Sequence, residues 1–162
     1  MNPATAVSPA ISSSRLGAAW ITLCATFALH ILDEALTGFL NVYNPTVLAL
    51  RRTHPWFPVP TFGFQEFLLA MIGISVIVFA LSAAFFKQKR WAAPLGYLFA
   101  IVNVLNALGH FLGTILGRTV PSVTFSRPAP GFYSSPLLLA ASVWVLLELR
   151  RSSKVDLQVH LR

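Results

Sequence analysis

The chain has 162 residues, of which 56% are hydrophobic and only 10% charged, with a mean hydropathy of +0.69. A soluble domain carries about a quarter charged residues, so this chain lacks the charge to cover a surface facing water, and a membrane becomes the expected solvent. The net charge of +7 does not mark a nucleic-acid binder. The basic residues flank apolar runs (Lys87, Lys89 and Arg90; Arg150, Arg151 and Lys154; Arg51 and Arg52) and form no basic stripe interleaved with aromatics. Cys24 is the single cysteine, which excludes an intrachain disulfide and any multi-cysteine metal cluster.

In chain order, residues 1–16 are rich in Ser, Ala and Pro and read as a flexible cytoplasmic lead. The apolar stretch that follows is too long for a signal-peptide core and has no small-residue cleavage site after it. It reads as a retained first transmembrane helix over 17–40. The connection Asn41 to Gly63 carries Pro45, Pro55, Pro58 and Pro60 beside Trp56, Phe57 and Phe62, and is expected to lie on the membrane as a cap. A second helix is predicted over 64–86, then a short basic turn, then a third helix over 92–116. Residues 117–130 hold Pro121, Pro128 and Pro130 and are expected to be irregular, ahead of a fourth helix over 131–149 and a basic cytoplasmic tail, 150–162. Each apolar stretch is near or above the ~20 residues that cross a ~30 Å hydrocarbon core. Only helices and closed barrels satisfy the backbone there, so the predicted fold is all-α: an up-and-down bundle of about four transmembrane helices. Eight Lys and Arg (Arg15; Lys87, Lys89, Arg90; Arg150, Arg151, Lys154, Arg162) fall on one side of such a bundle and four (Arg51, Arg52, Arg118, Arg127) on the other. The positive-inside rule then puts both termini in the cytoplasm.

Of only five acidic residues, Asp33 and Glu34 lie in the first predicted helix and Glu66 opens the second. His30, His110, Asn103 and Asn106 are embedded as well. An ionisable group in hydrocarbon costs at least about 2–3 kcal/mol and is by default a functional-site candidate. His30, Asp33 and Glu34 stand at i, i+3 and i+4, on one helical face; Asn103, Asn106 and His110 share a face of the third helix, beside Gly109 and Gly113, which permit close helix approach. At ~1.5 Å per residue, His30 lies roughly 20 Å along its helix. Up-and-down connectivity brings it, Glu66, His110 and the segment Tyr133-Ser134-Ser135 to the same half of the membrane. No motif around Ser134 or Ser135 activates a hydroxyl for nucleophilic attack.

The run His30-Ile31-Leu32-Asp33-Glu34 in a first transmembrane helix resembles the signature of the HXXEE-domain family of small bacterial membrane proteins, with Asp33 in place of the first glutamate. That family carries a second histidine in a later helix, which His110 matches. It also carries a tyrosine-x-proline-glycine element; here Arg127-Pro128-Ala129-Pro130-Gly131 keeps the proline and glycine, with Arg127 for the tyrosine when Pro128 is skipped in register. The resemblance spans about residues 17–149. It implies a bacterial inner-membrane protein and an enzymatic role for the embedded histidines and acids, but names no reaction.

Two chemistries fit the polar set, with His30, Asp33, Glu34, Glu66 and His110 as the candidate catalytic residues. In one, His30, Glu34 and His110 bind a divalent metal, zinc or iron; an open coordination position would activate water against a lipid ester or amide, and an oxidoreductase on a lipid-like substrate is its redox counterpart. In the other, no metal is involved and a buried carboxylate and histidine move protons on a hydrophobic substrate, as in an isomerase or cyclase. Outside enzymes, the same groups suit a proton relay or ion site in a small transporter, which would need a homo-oligomer for room since no inverted repeat is present. A structural membrane subunit is the remaining class. Membrane lipid is the expected partner, nucleic acid is not.

Overall fold

The computed structural model describes the backbone of residues 9–160 and the side chains of 14–153. The first helix, α1, runs Pro9–Thr37, so 9–16 of the expected lead are helical and 1–8 lie outside the described residues. It ends because Gly38 takes φ +76°, a left-handed conformation that costs glycine nothing, and Phe39 N–H then bonds back to Glu34 C=O at 3.0 Å. This six-to-one closure satisfies a terminal carbonyl and places Glu34 in the last turn.

The expected cap over Asn41–Gly63 begins with a helix, α2 (Leu40–Thr53), despite Pro45. Its side chains satisfy the backbone of the proline-rich segment that follows. Asn44 donates to Phe62 C=O at 2.8 Å and accepts from Phe62 N–H at 3.0 Å; Tyr43 Oη donates to Pro60 C=O at 2.9 Å; Arg51 donates to Val59 C=O at 2.6 Å. Prolines bar that segment from a ladder of its own, and the bonds to α2 stand in for one.

Helix α3 (Phe64–Ala80) is followed after one residue by α4 (Ser82–Phe86), and α5 runs Ala92–Leu116. Where irregular chain was expected after Gly117, a short antiparallel hairpin forms from β1 (Arg118–Val120) and β2 (Val123–Thr124), with Arg118 opposite Thr124 and Val120 opposite Val123. Both strands pack on α2. Helix α6 (Ser135–His160) starts four residues later than expected and takes in most of the expected basic tail; residues 161 and 162 lie outside the described ones.

Among the described residues, three spans are long and apolar enough to cross a membrane: Ser14–Thr37, Phe64–Phe86 and Ala92–Leu116. The fourth predicted span is not among them, because the apolar run of α6 is closed by Glu148, Arg150 and Arg151. α1 and α6 nonetheless form the inner pair, with α3 and α4 against α1 and α5 against α6. One half of this bundle is filled by aromatics. Trp20 stacks on Phe85 at 3.7 Å between centroids and tilts against Phe99 at 5.6 Å, and Phe27 meets Phe99 edge-on. The Trp20 indole donates to Val78 C=O at 2.9 Å, close to the junction of α3 and α4. The other half, one turn beyond Phe27, is polar.

Candidate metal centre

His30 and Glu34 occupy successive turns of α1, and His110 reaches them from the last turns of α5. Glu34 Oε1 lies 3.4 Å from His30 Nε2 and 3.2 Å from His110 Nε2, and all three candidate ligand atoms fall within 4.8 Å of one another. The residues are buried: His30 is 0% exposed, Glu34 3% and His110 7%. The imidazoles meet edge-on with centroids 4.8 Å apart. Atoms bound to one tetrahedral ion at about 2.0–2.1 Å lie roughly 3.3–3.4 Å from each other, so both carboxylate–imidazole separations match an edge of such a tetrahedron. His110 Nε2 is fully buried and makes no hydrogen bond; its 3.2 Å approach to Glu34 falls outside hydrogen-bonding geometry. A buried ring nitrogen facing a carboxylate oxygen that a second imidazole also approaches is a donor set that could hold a metal ion. Histidine and carboxylate donors with room for further ligands suit zinc or iron.

A second layer fixes His30. The Asp33 carboxylate accepts from both Ser134 N–H and Ser134 Oγ–H at 2.8 Å. The one hydroxyl proton of Ser134 is thereby committed, and Oγ can only accept from His30 Nδ1–H, 2.8 Å away. Nε2, which then carries the lone pair, faces the cluster and accepts from Asn106 Nδ2–H at 2.9 Å, a bond that an ion held at this nitrogen would displace. This carboxylate–hydroxyl–imidazole chain orients His30 as a direct carboxylate partner orients metal-binding histidines. It also argues against a nucleophilic Ser134, since in a nucleophile triad the imidazole stands between hydroxyl and acid, whereas here the hydroxyl stands between the other two.

Gly131 closes the site. It has φ +80°, and a Cβ built there would lie 2.7 Å from His110 Cε1 and 3.0 Å from Glu34 Cγ. Its N–H donates to Thr37 Oγ1 at 3.0 Å, and its C=O accepts from Ser135 Oγ at 2.7 Å. This tight passage explains why α6 begins only at Ser135.

The structure therefore brings together His30, Glu34 and His110, with Asp33 and Asn106 one shell out. It does not bring in Glu66, which is a correction to the candidate set. Glu66 is exposed at the start of α3, where Oε2 accepts from Gly63 N–H at 2.9 Å and caps the helix. Asn103 is also outside; its amide bonds to Phe99 C=O of its own helix at 2.8 Å. Sequence reasoning left out Thr37, the close packing of Gly131, and Glu148, a buried acid paired with Arg151 at 2.6 Å near the other end of α6. The sequence does hold a signal for Gly131, a glycine directly after Pro130 in the element that carries the family resemblance.

Two cavities flank the cluster. One, of about 400 Å³, is lined by Glu34, Gly38, Phe39, Asn41 and Asn44. The other, of about 240 Å³, is lined by Phe39, Leu105, Asn106, Gly109, His110 and Phe125. Phe39 borders both, and its ring lies 6.1 Å from that of His110.

Compared with known proteins, the chain matches no family model, and no curated protein or solved structure shows significant similarity to it.

Proposed function

We propose that this is a four-helix inner-membrane protein of the HXXEE type that holds one zinc or iron ion at His30, Glu34 and His110 and hydrolyses an ester or amide bond in a lipid-like substrate. The observation that carries the reading is the orphaned, buried His110 Nε2 facing Glu34 Oε1 at 3.2 Å, with His30 Nε2 on the same oxygen at 3.4 Å. His30, Glu34 and His110 would hold the ion, which would supply a Lewis acid and an activated water at neutral pH. The protein's own residues do the rest. Asp33 and Ser134 hold His30 in the tautomer that presents Nε2. Asn106, on the wall of the second cavity, donates to His30 Nε2; an ion at that nitrogen would release its amide N–H toward a carbonyl oxygen that gains charge. Glu34 borders the first cavity, from which water reaches the cluster. The apolar surroundings exclude bulk solvent and strengthen each of these interactions.

The fourth crossing is assigned to α6, whose apolar part pairs with α1 along the bundle; Glu148 near its end is neutralised by Arg151. Both termini then face the cytoplasm, as the eight-to-four excess of basic residues favours.

Elemental mass spectrometry of protein purified in detergent without chelators tests the centre. About one zinc or iron per chain is expected in the wild type, with loss of the metal in His30→Ala and in His110→Ala and membrane insertion unchanged in both. Zinc would fit hydrolysis, and iron would turn the reading toward oxidation. A wild type without metal would transfer the site to metal-free acid–base chemistry between Glu34 and the two histidines.

A further inference from the structure

The two cavities beside the cluster differ in kind, and the difference describes the substrate. The one bordered by Glu34 opens toward α2 and the proline-rich segment and is edged by Asn41 and Asn44. The one bordered by His110 is walled by Leu105, Gly109, Phe125 and Pro130, with Asn106 as its other polar residue near the cluster. It opens on a face of α5 where Leu105 is 63% exposed and Leu112 56%, a surface that lipid would solvate.

Depth adds a second constraint. The Ser14–Thr37 span has 24 residues, about 36 Å of helix, which overshoots a ~30 Å hydrocarbon core by only ~3 Å at each side. Glu34 lies three residues from the end of that span and His110 six from the end of α5, about 5 and 9 Å inward. The cluster thus sits a few ångströms beneath the boundary between headgroups and hydrocarbon, where the acyl linkages of bilayer lipids lie.

We propose that the substrate is an amphiphile bearing an acyl chain, bound astride Phe39. Its chain occupies the α5 crevice, having entered sideways from the bilayer. Its polar part occupies the cavity at Asn41, and its carbonyl lies at the cluster between them. This rests on the metal-centre reading above. An amphiphile lying wholly in one cavity would meet only Glu34 or only His110, whereas one that straddles Phe39 carries its acyl linkage past both.

Gly109 lines the crevice and a Cβ added there meets nothing within 4 Å, so Gly109→Leu adds bulk at the crevice wall without straining the helix. Gly73, on α3, is equally open and remote from the crevice, so Gly73→Leu serves as the control. The full chain is loaded with cobalt(II) in lipid nanodiscs. Binding of acetohydroxamic and octanohydroxamic acid, metal-seeking head groups with a short and a long chain, is read from the visible cobalt spectrum. The octanoyl compound is expected to bind the wild type and Gly73→Leu about tenfold or more tighter than the acetyl compound, a preference of the size that apolar pockets give. Gly109→Leu should lose that preference while keeping its cobalt spectrum. The same preference in Gly109→Leu as in wild type, or none in wild type, overturns the substrate assignment and leaves the metal centre standing. A wild type that takes up no cobalt overturns the metal centre and the substrate assignment with it.

Discussion

Ser134 shows how far the chemistry of one residue depends on its partners. Alone it is a hydroxyl near the start of a helix; between Asp33 and His30 it becomes the group that sets which imidazole nitrogen faces the cluster. Replacing it by alanine removes the acceptor for His30 Nδ1–H and one donor to Asp33, and frees the ring to change tautomer. Ser134→Ala should therefore weaken metal binding by roughly 10–100-fold, the usual cost of losing such a partner, with little change in fold. Competition with a calibrated chelator measures this; unchanged affinity would mean that the chain of hydrogen bonds plays no part in holding the ring. His30, Asp33 and Glu34 were legible as one face because helical spacing is a local property of the sequence. Connectivity brought Ser134 to the same half of the membrane, but its bonds to Asp33 and His30 were not legible, since they close over more than a hundred residues and no spacing rule reaches that distance.

At the level of elements, the ends of helices decided what the runs of apolar residues could not. Gly38 stops α1 so that Glu34 joins the cluster from the last turn, and the closely packed passage at Gly131 precedes the start of α6 at Ser135. Glu66 illustrates the same point in reverse. Its membrane half was readable from connectivity, but its lateral position was not, and it spends its carboxylate on the N-terminus of α3. Glu66→Ala should accordingly lower stability by about 0.5–1 kcal/mol, as loss of a helix cap does, and leave metal content as in the wild type. Thermal unfolding in detergent and elemental analysis of the same preparation give the two readings; a loss of metal would return Glu66 to the site. α2 was hidden for a related reason. Pro45 and the prolines after Thr53 mark the segment as irregular by local rules, and only the bonds from Tyr43, Asn44 and Arg51 to the following chain make the helix worthwhile.

Across the whole molecule, the bundle divides into an aromatic half, where Trp20, Phe85 and Phe99 pack together, and a polar half closed by α2 and the hairpin. The charge excess predicts that the aromatic half lies on the cytoplasmic side. Single cysteines test both this orientation and the fourth crossing, because native Cys24 is 0% exposed and gives a silent background. With a membrane-impermeant maleimide on intact cells, Thr53→Cys and Ser126→Cys should label, and Lys89→Cys and Ser153→Cys should label only after the membrane is opened. If α6 does not cross, Ser153→Cys will label together with Ser126→Cys, and the protein has three crossings.

The sequence by itself determined the helical class, the apolar character that suits a membrane, and the embedded positions of His30, Glu34 and His110. Hydropathy, charge placement and helical period are all properties of neighbours along the chain. Tertiary structure alone decided which polar residues meet. That His30, Glu34 and His110 converge while Glu66 and Asn103 turn elsewhere follows from the pairing of α1 with α6 and α5, and from the absence of a side chain at Gly131. These are contacts between distant segments, and their energies depend on shape rather than on order in the chain.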